Sequence, residues 1–131
     1  MTRLVYEYRD FVKSRMKSMG TLQEDLLHMT LGIAGESGEL VDAVKKYWVY
    51  GKPLNVNNVI EELGDLLFYI QGMLSTVTRQ GALSPETLED LMITNMDKHP
   101  SDIQQDILMK QQLHELIKKN QHLQIAKGSV L

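Results

Sequence analysis

The sequence predicts an all-α protein of about five helices. Apolar residues recur with a period near 3.6 through most of the chain, and capping signals with Gly or Pro breaks cut that pattern into pieces of helical length. No run alternates as a strand should. Leu54-Asn55-Val56-Asn57 does so briefly, but its Asn residues lower β-propensity.

The first helix is expected over 3–19, where Leu4, Val5, Tyr8, Phe11, Val12 and Met16 share a face, with a stop near Gly20. Thr21-Leu22-Gln23-Glu24 then reads as a capping box, in which hydroxyl and carboxylate satisfy orphan backbone donors. The second helix runs from there to about Tyr50 and is stopped by Gly51-Lys52-Pro53. Asn57 or Asn58 caps a third helix that ends near Arg79. Gly81-Ala82-Leu83 forms a turn, and Ser84-Pro85-Glu86 opens a fourth helix that closes near His99. Pro100 breaks the chain, and Ser101-Asp102-Ile103-Gln104 caps a fifth helix whose Ile103, Ile107, Leu113, Leu116 and Ile117 form an apolar stripe suited to a subunit interface.

The 131 residues suffice for one domain, 1–131, in which 101–131 is a C-terminal helical extension with a polar tail. A net charge of −3 and no basic run longer than two residues argue against nucleic acid as a partner. No stretch is long and apolar enough for a membrane span, and no apolar leader follows Met1. With no cysteine, thiolate metal sites and thiol nucleophiles are excluded. The expected setting is cytoplasmic.

The chemistry concentrates between Gly32 and Ile70. On helices, Glu36 and Glu39 share a face, as do Glu62 and Asp65, because residues three apart are neighbours. An isolated pair of this kind usually lies on a solvated face, but these two are embedded in apolar sequence. If the helices pack antiparallel, four carboxylates converge, and their repulsion must be met by raised pKa values or by cations. An all-oxygen set favours Mg²⁺ or Mn²⁺ over Zn²⁺. Gly32, Gly35 and Gly38 repeat along one stripe, and with Gly64 they suggest a close approach of the helix backbones. Lys46, two turns beyond Glu39, and Tyr69, one turn beyond Asp65, are candidate substrate contacts. His28 is a further candidate for lining the site, while His99, His114 and His122 read as surface residues.

Glu36-x-x-Glu39 followed by Glu62-x-x-Asp65 resembles the signature of the MazG-like all-α nucleoside triphosphate pyrophosphohydrolases. The words around it match the small single-domain branch: Leu31-Gly32-Ile33-Ala34-Gly35-Glu36, Asp42-Ala43-Val44-Lys45-Lys46, Tyr50-Gly51-Lys52-Pro53-Leu54 and Glu61-Glu62-Leu63-Gly64-Asp65. The resemblance covers residues 20–100. It implies a four-helix core assembled as a homodimer or homotetramer, a Mg²⁺ site, and cleavage of an NTP or dNTP between the α and β phosphates. Glu36, Glu39, Glu62 and Asp65 carry over as metal ligands and catalytic groups, with Glu61 as an outer carboxylate or base. Asn95-Met96-Asp97-Lys98 resembles the family's Asn-x-x-Lys element, which places Asn95 and Lys98 as substrate contacts. The family commonly continues to an Arg before Tyr-Pro, whereas this chain goes directly to His99-Pro100. That departure motivates an alternative, a non-catalytic nucleotide-binding helical protein that keeps the metal site. A di-iron carboxylate bundle is disfavoured because no Glu-x-x-His pair occurs.

Overall fold

The computed structural model describes residues 2–79 and 86–128. Among them are five α-helices and no strand: α1 (Thr2–Arg15), α2 (Leu22–Trp48), α3 (Val56–Thr78), α4 (Leu88–Lys98) and α5 (Asp102–Gly128). The all-α expectation is met. The chain divides into two compact units, Met1–Met92 and Ile93–Leu131.

Local chemistry sets the helix boundaries. The Thr21 hydroxyl accepts from the Glu24 N–H at 3.2 Å while the Glu24 carboxylate accepts from the Thr21 N–H at 3.2 Å, completing the expected capping box of α2. At the other end Gly51 takes a φ of +63°, and the Lys52 N–H donates to the Lys46 carbonyl, a pattern that closes a helix through a left-handed glycine. Helix α1 stops at Arg15, earlier than the expected 19, because the chain then turns toward Asp25: the Met19 N–H and the Ser18 hydroxyl both donate to its carboxylate, at 2.6 and 3.1 Å.

Two caps differ from the sequence expectation. Asn55, not Asn57 or Asn58, caps α3, its side-chain oxygen accepting from the Asn58 N–H at 3.1 Å. For α4, the expected turn at 81–83 and the Ser84-Pro85 opening lie outside the described residues. Glu86 precedes the helix instead of sitting in its first turn, and Thr87 with Asp90 forms the reciprocal cap.

The first unit is organised by α2 lying antiparallel on α3. The facing positions form a ladder, Glu36 with Asp65, Gly32 with Tyr69, Met29 with Gly72 and Asp25 with Arg79, so one number falls as the other rises. Two close approaches fix this register. A Cβ at Gly32 would overlap the Tyr69 ring, and one at Gly72 would meet the Met29 sulfur at 2.5 Å. The expected glycine stripe is therefore corrected. Gly32 accommodates an aromatic ring rather than a backbone, while Gly35, Gly38 and Gly64 have nothing within 4 Å.

Helix α1 packs across α3, burying Val12 and setting Phe11 edge-on to Phe68, with ring centroids 6.5 Å apart. The buried apolar core of the described residues is small: Val12, Met29 and Ala43. Large apolar side chains remain outside, including Leu27, Leu31 and Val41 on α2, and Val56, Ile60, Leu63 and Leu67 on one stripe of α3.

In the second unit, Ser101 and Gln104 cap α5 reciprocally as expected, at 3.1 and 3.3 Å. The helix continues to Gly128 instead of fraying into the tail. Its Ile103, Ile107, Leu113, Leu116 and Ile117 are all exposed, as are Leu108 and Met109, which spreads apolar surface round the helix instead of confining it to one stripe.

Candidate metal centre

Helical spacing and antiparallel register together build the acid cluster. One carboxylate oxygen from each of Glu36, Glu62 and Asp65 lies within 4.8 Å of the others. Glu62 is buried, Glu36 is half-buried and Asp65 is exposed, so the group runs from the α2–α3 seam out to solvent. Glu39 is exposed and outside that group of three, yet its charge acts on both Glu36 and Glu62.

The electrostatics follow from this crowding. Burial pushes the Glu36 carboxyl above its usual range, and the Glu39 and Asp65 charges push it further. Glu62 is raised for the same reasons: first burial, then the charge and hydrogen bond of Glu39, then Glu36 and Asp65. Glu36 Oε2 and Glu62 Oε2 are buried without a hydrogen-bond partner. Such orphaned oxygens are costly unless a cation or proton meets them. The donor set is all carboxylate oxygen, which suits a hard divalent ion. These residues therefore fit a metal.

Beside the acids, Glu36, Asp65, Phe68 and Tyr69 line an open depression of about 310 Å³. The Tyr69 ring stands edge-on to Phe68, with centroids 5.5 Å apart, and to His28, at 6.5 Å. His28 Nδ1 is buried and unpartnered among the described residues. Tyr8, whose position could not be read from sequence, comes from α1 to the same region. Its hydroxyl pKa is raised by burial and then by the Asp65 charge. The period of α1 was the only signal for it, and that period does not say which residue of α3 the helix meets.

The remaining sequence candidates fall elsewhere. Glu61 is exposed, about 100° round α3 from Glu62. Lys46 pairs with Asp42 on its own helix at 3.0 Å, with both side chains more than half exposed. Asn95 and Lys98 are exposed in α4 and belong to the second unit, whereas the acid cluster is built entirely within the first. His99, His114 and His122 are exposed.

Residues 24–101, more than half of the chain, match the MazG nucleotide pyrophosphohydrolase domain. Comparison with curated proteins and with solved structures gave no match. Both acidic pairs, His28 and Tyr69 lie inside the matched span, as do Asn95 and Lys98, whereas Tyr8 and all of α5 lie outside it.

Proposed function

Because the chain belongs to the MazG nucleotide pyrophosphohydrolase family, we propose that it is a Mg²⁺-dependent hydrolase that cleaves an NTP or dNTP between the α and β phosphates, giving a nucleoside monophosphate and pyrophosphate. The convergence of Glu36, Glu62 and Asp65, with two buried carboxylate oxygens left unpartnered, carries this reading. Glu36, Glu39, Glu62 and Asp65 would hold the ion. When bound, Mg²⁺ supplies charge neutralisation at the phosphates and acidifies water; Mn²⁺ can take the same oxygens.

The protein's own groups then divide the work. Glu62, buried at the α2–α3 seam, forms the inner end of the acid group. Either Glu36 or Glu39 would orient a water and take its proton, with Glu61 as an outer carboxylate or base. Tyr69 and Phe68 form the aromatic wall of the depression, where a nucleoside can rest while its phosphates face the acids. Lys46, Asn95 and Lys98 are proposed as phosphate or sugar contacts.

The uncovered apolar stripes of α2 and α3 support a homodimer or homotetramer, since exposed apolar surface on this scale marks association. Among the described residues no helix is long and apolar enough to cross a membrane, and we place the enzyme in the cytoplasm.

Product analysis against the eight common nucleoside and deoxynucleoside triphosphates tests the reading. Monophosphate plus pyrophosphate, formed with Mg²⁺ and abolished by chelator, is expected. Diphosphate plus orthophosphate would contradict it. Nucleotide-dependent thermal stabilisation without turnover would favour the non-catalytic binding protein, which the missing Arg before Pro100 motivates.

A further inference from the structure

A second cavity lies where the start of α2 meets the end of α3, away from the acid cluster. It has a volume of about 330 Å³ and is lined by Lys13, Met16, Lys17, Asp25, Thr76 and Arg79, among others. Asp25 precedes Glu36 by eleven residues of one helix, so the two sites are about 16 Å apart along α2.

The floor of this cavity is fixed and its one negative charge is already engaged. Asp25 is only 3% exposed and accepts from the Met19 N–H at 2.6 Å, the Ser18 hydroxyl at 3.1 Å and the Arg79 guanidinium at 2.7 Å. Those donors hold its carboxyl below the usual range, the Met19 N–H most of all and Arg79 next. The charge of Arg79 balances that of Asp25. Lys13 and Lys17 are then in excess: both are exposed, and neither forms an ion pair among the described residues. On α1, Arg3 pairs with Glu7 and Arg9 with Asp10 and Glu86, while the Arg15 guanidinium lies over the Phe11 ring. Lys13 is on α1 and Lys17 is on the segment that follows it, yet both line this one cavity. Here they stand over a cavity whose wall also carries a guanidinium.

We propose that this cavity is a second binding site, separate from the acid cluster, for the phosphoryl group of a small phosphorylated molecule. The two unbalanced positive charges match a phosphate dianion, for which lysine acts as a point charge and arginine offers planar donors. The volume lies at the small end of the range for ligand pockets, and Met16 gives an apolar surface for the body of the molecule. No metal is required. The carboxylate oxygens that would hold one in the acid cluster have no counterpart here, because Asp25 is the only acid in this wall and its oxygens are taken.

Calorimetric titration in the presence of chelator tests this directly, with inorganic phosphate, pyrophosphate and a nucleoside monophosphate as probes. At least one probe should bind the wild-type chain at one per protomer. The double variant Lys13→Gln/Lys17→Gln should weaken that binding tenfold or more, and Glu62→Gln should leave it unchanged. Both lysines are exposed, and retention of the wild-type melting temperature verifies the fold of the double variant. The choice of probe separates a free inorganic anion from a phosphorylated organic molecule. Absence of binding by all three probes, unchanged binding in the lysine variant, or binding lost in Glu62→Gln would each overturn the proposal. Because no turnover is measured, failure here is distinct from failure of the pyrophosphohydrolase reading.

Discussion

Glu62 is the residue on which the acid cluster turns. It is buried, the charges of Glu39, Glu36 and Asp65 act on it, and one of its oxygens has no partner. Glu62→Gln keeps the shape while removing one of the crowded charges. Turnover should fall by more than about a hundredfold, the scale on which loss of one charge-stabilising group acts. The metal-free variant should melt higher than wild type, because repulsion is relieved. Assay and thermal melts of one preparation give both results.

The pH dependence has a definite sign. Glu36 and Glu62 are raised above their ordinary 4.5, so the folded state holds protons that the unfolded state releases. Their contribution is complete below 4.5 and is lost as pH rises through the folded values. Asp25 and Asp90 are lowered, so theirs is present above 3.8 and lost as pH falls through the folded values. Melting curves in chelator should therefore decline from mildly acidic pH to neutrality, and Mg²⁺ should restore the neutral limb without altering the acid one. Both acid pairs were legible in the sequence because i, i+3 spacing assigns a face without tertiary information. Asp25 with Arg79 was not, since that pairing spans 54 residues and nothing local announces it.

Among the helices, the two kinds of glycine in α2 make opposite predictions. Gly32→Ala drives a Cβ into the Tyr69 ring and should destabilise by about 1–3 kcal/mol, as overpacking does. It should also lower activity, because Tyr69 lines the depression beside the acids. Gly35→Ala meets open space and should stabilise by roughly 0.5–1 kcal/mol, the helix-propensity difference. Chemical denaturation of the two variants separates them. The sequence showed three glycines in a row of threes but not which one had a neighbour, because that depends on the register of α3. The caps at Thr21 and Ser101 were readable, since each is a reciprocal pair within four residues. The start of α3 was harder to place, because Asn55, Asn57 and Asn58 can all cap and the one used is set by where the helix sits on α2.

For the whole molecule, a buried apolar set of Val12, Met29 and Ala43 is small beside the apolar surface left outside. Association should cover it. Ile60 stands 62% exposed on the α3 stripe, and Ile60→Glu should shift sedimentation from a dimer or larger species toward monomer, whereas an unchanged mass would place the interface elsewhere. The all-α class and the family were legible because periodicity and the two acid pairs are local. The outward-facing stripes were not, since the same periodicity describes a face turned to a core and one turned to a second copy.

The most direct test of the central claim is electron paramagnetic resonance of Mn²⁺ titrated into the protein alone, without nucleotide. The free-ion signal should disappear in wild type, return on adding excess Mg²⁺, and persist throughout in Glu62→Gln. Equal Mn²⁺ uptake by wild type and variant would show that Glu36, Glu62 and Asp65 are not the metal centre.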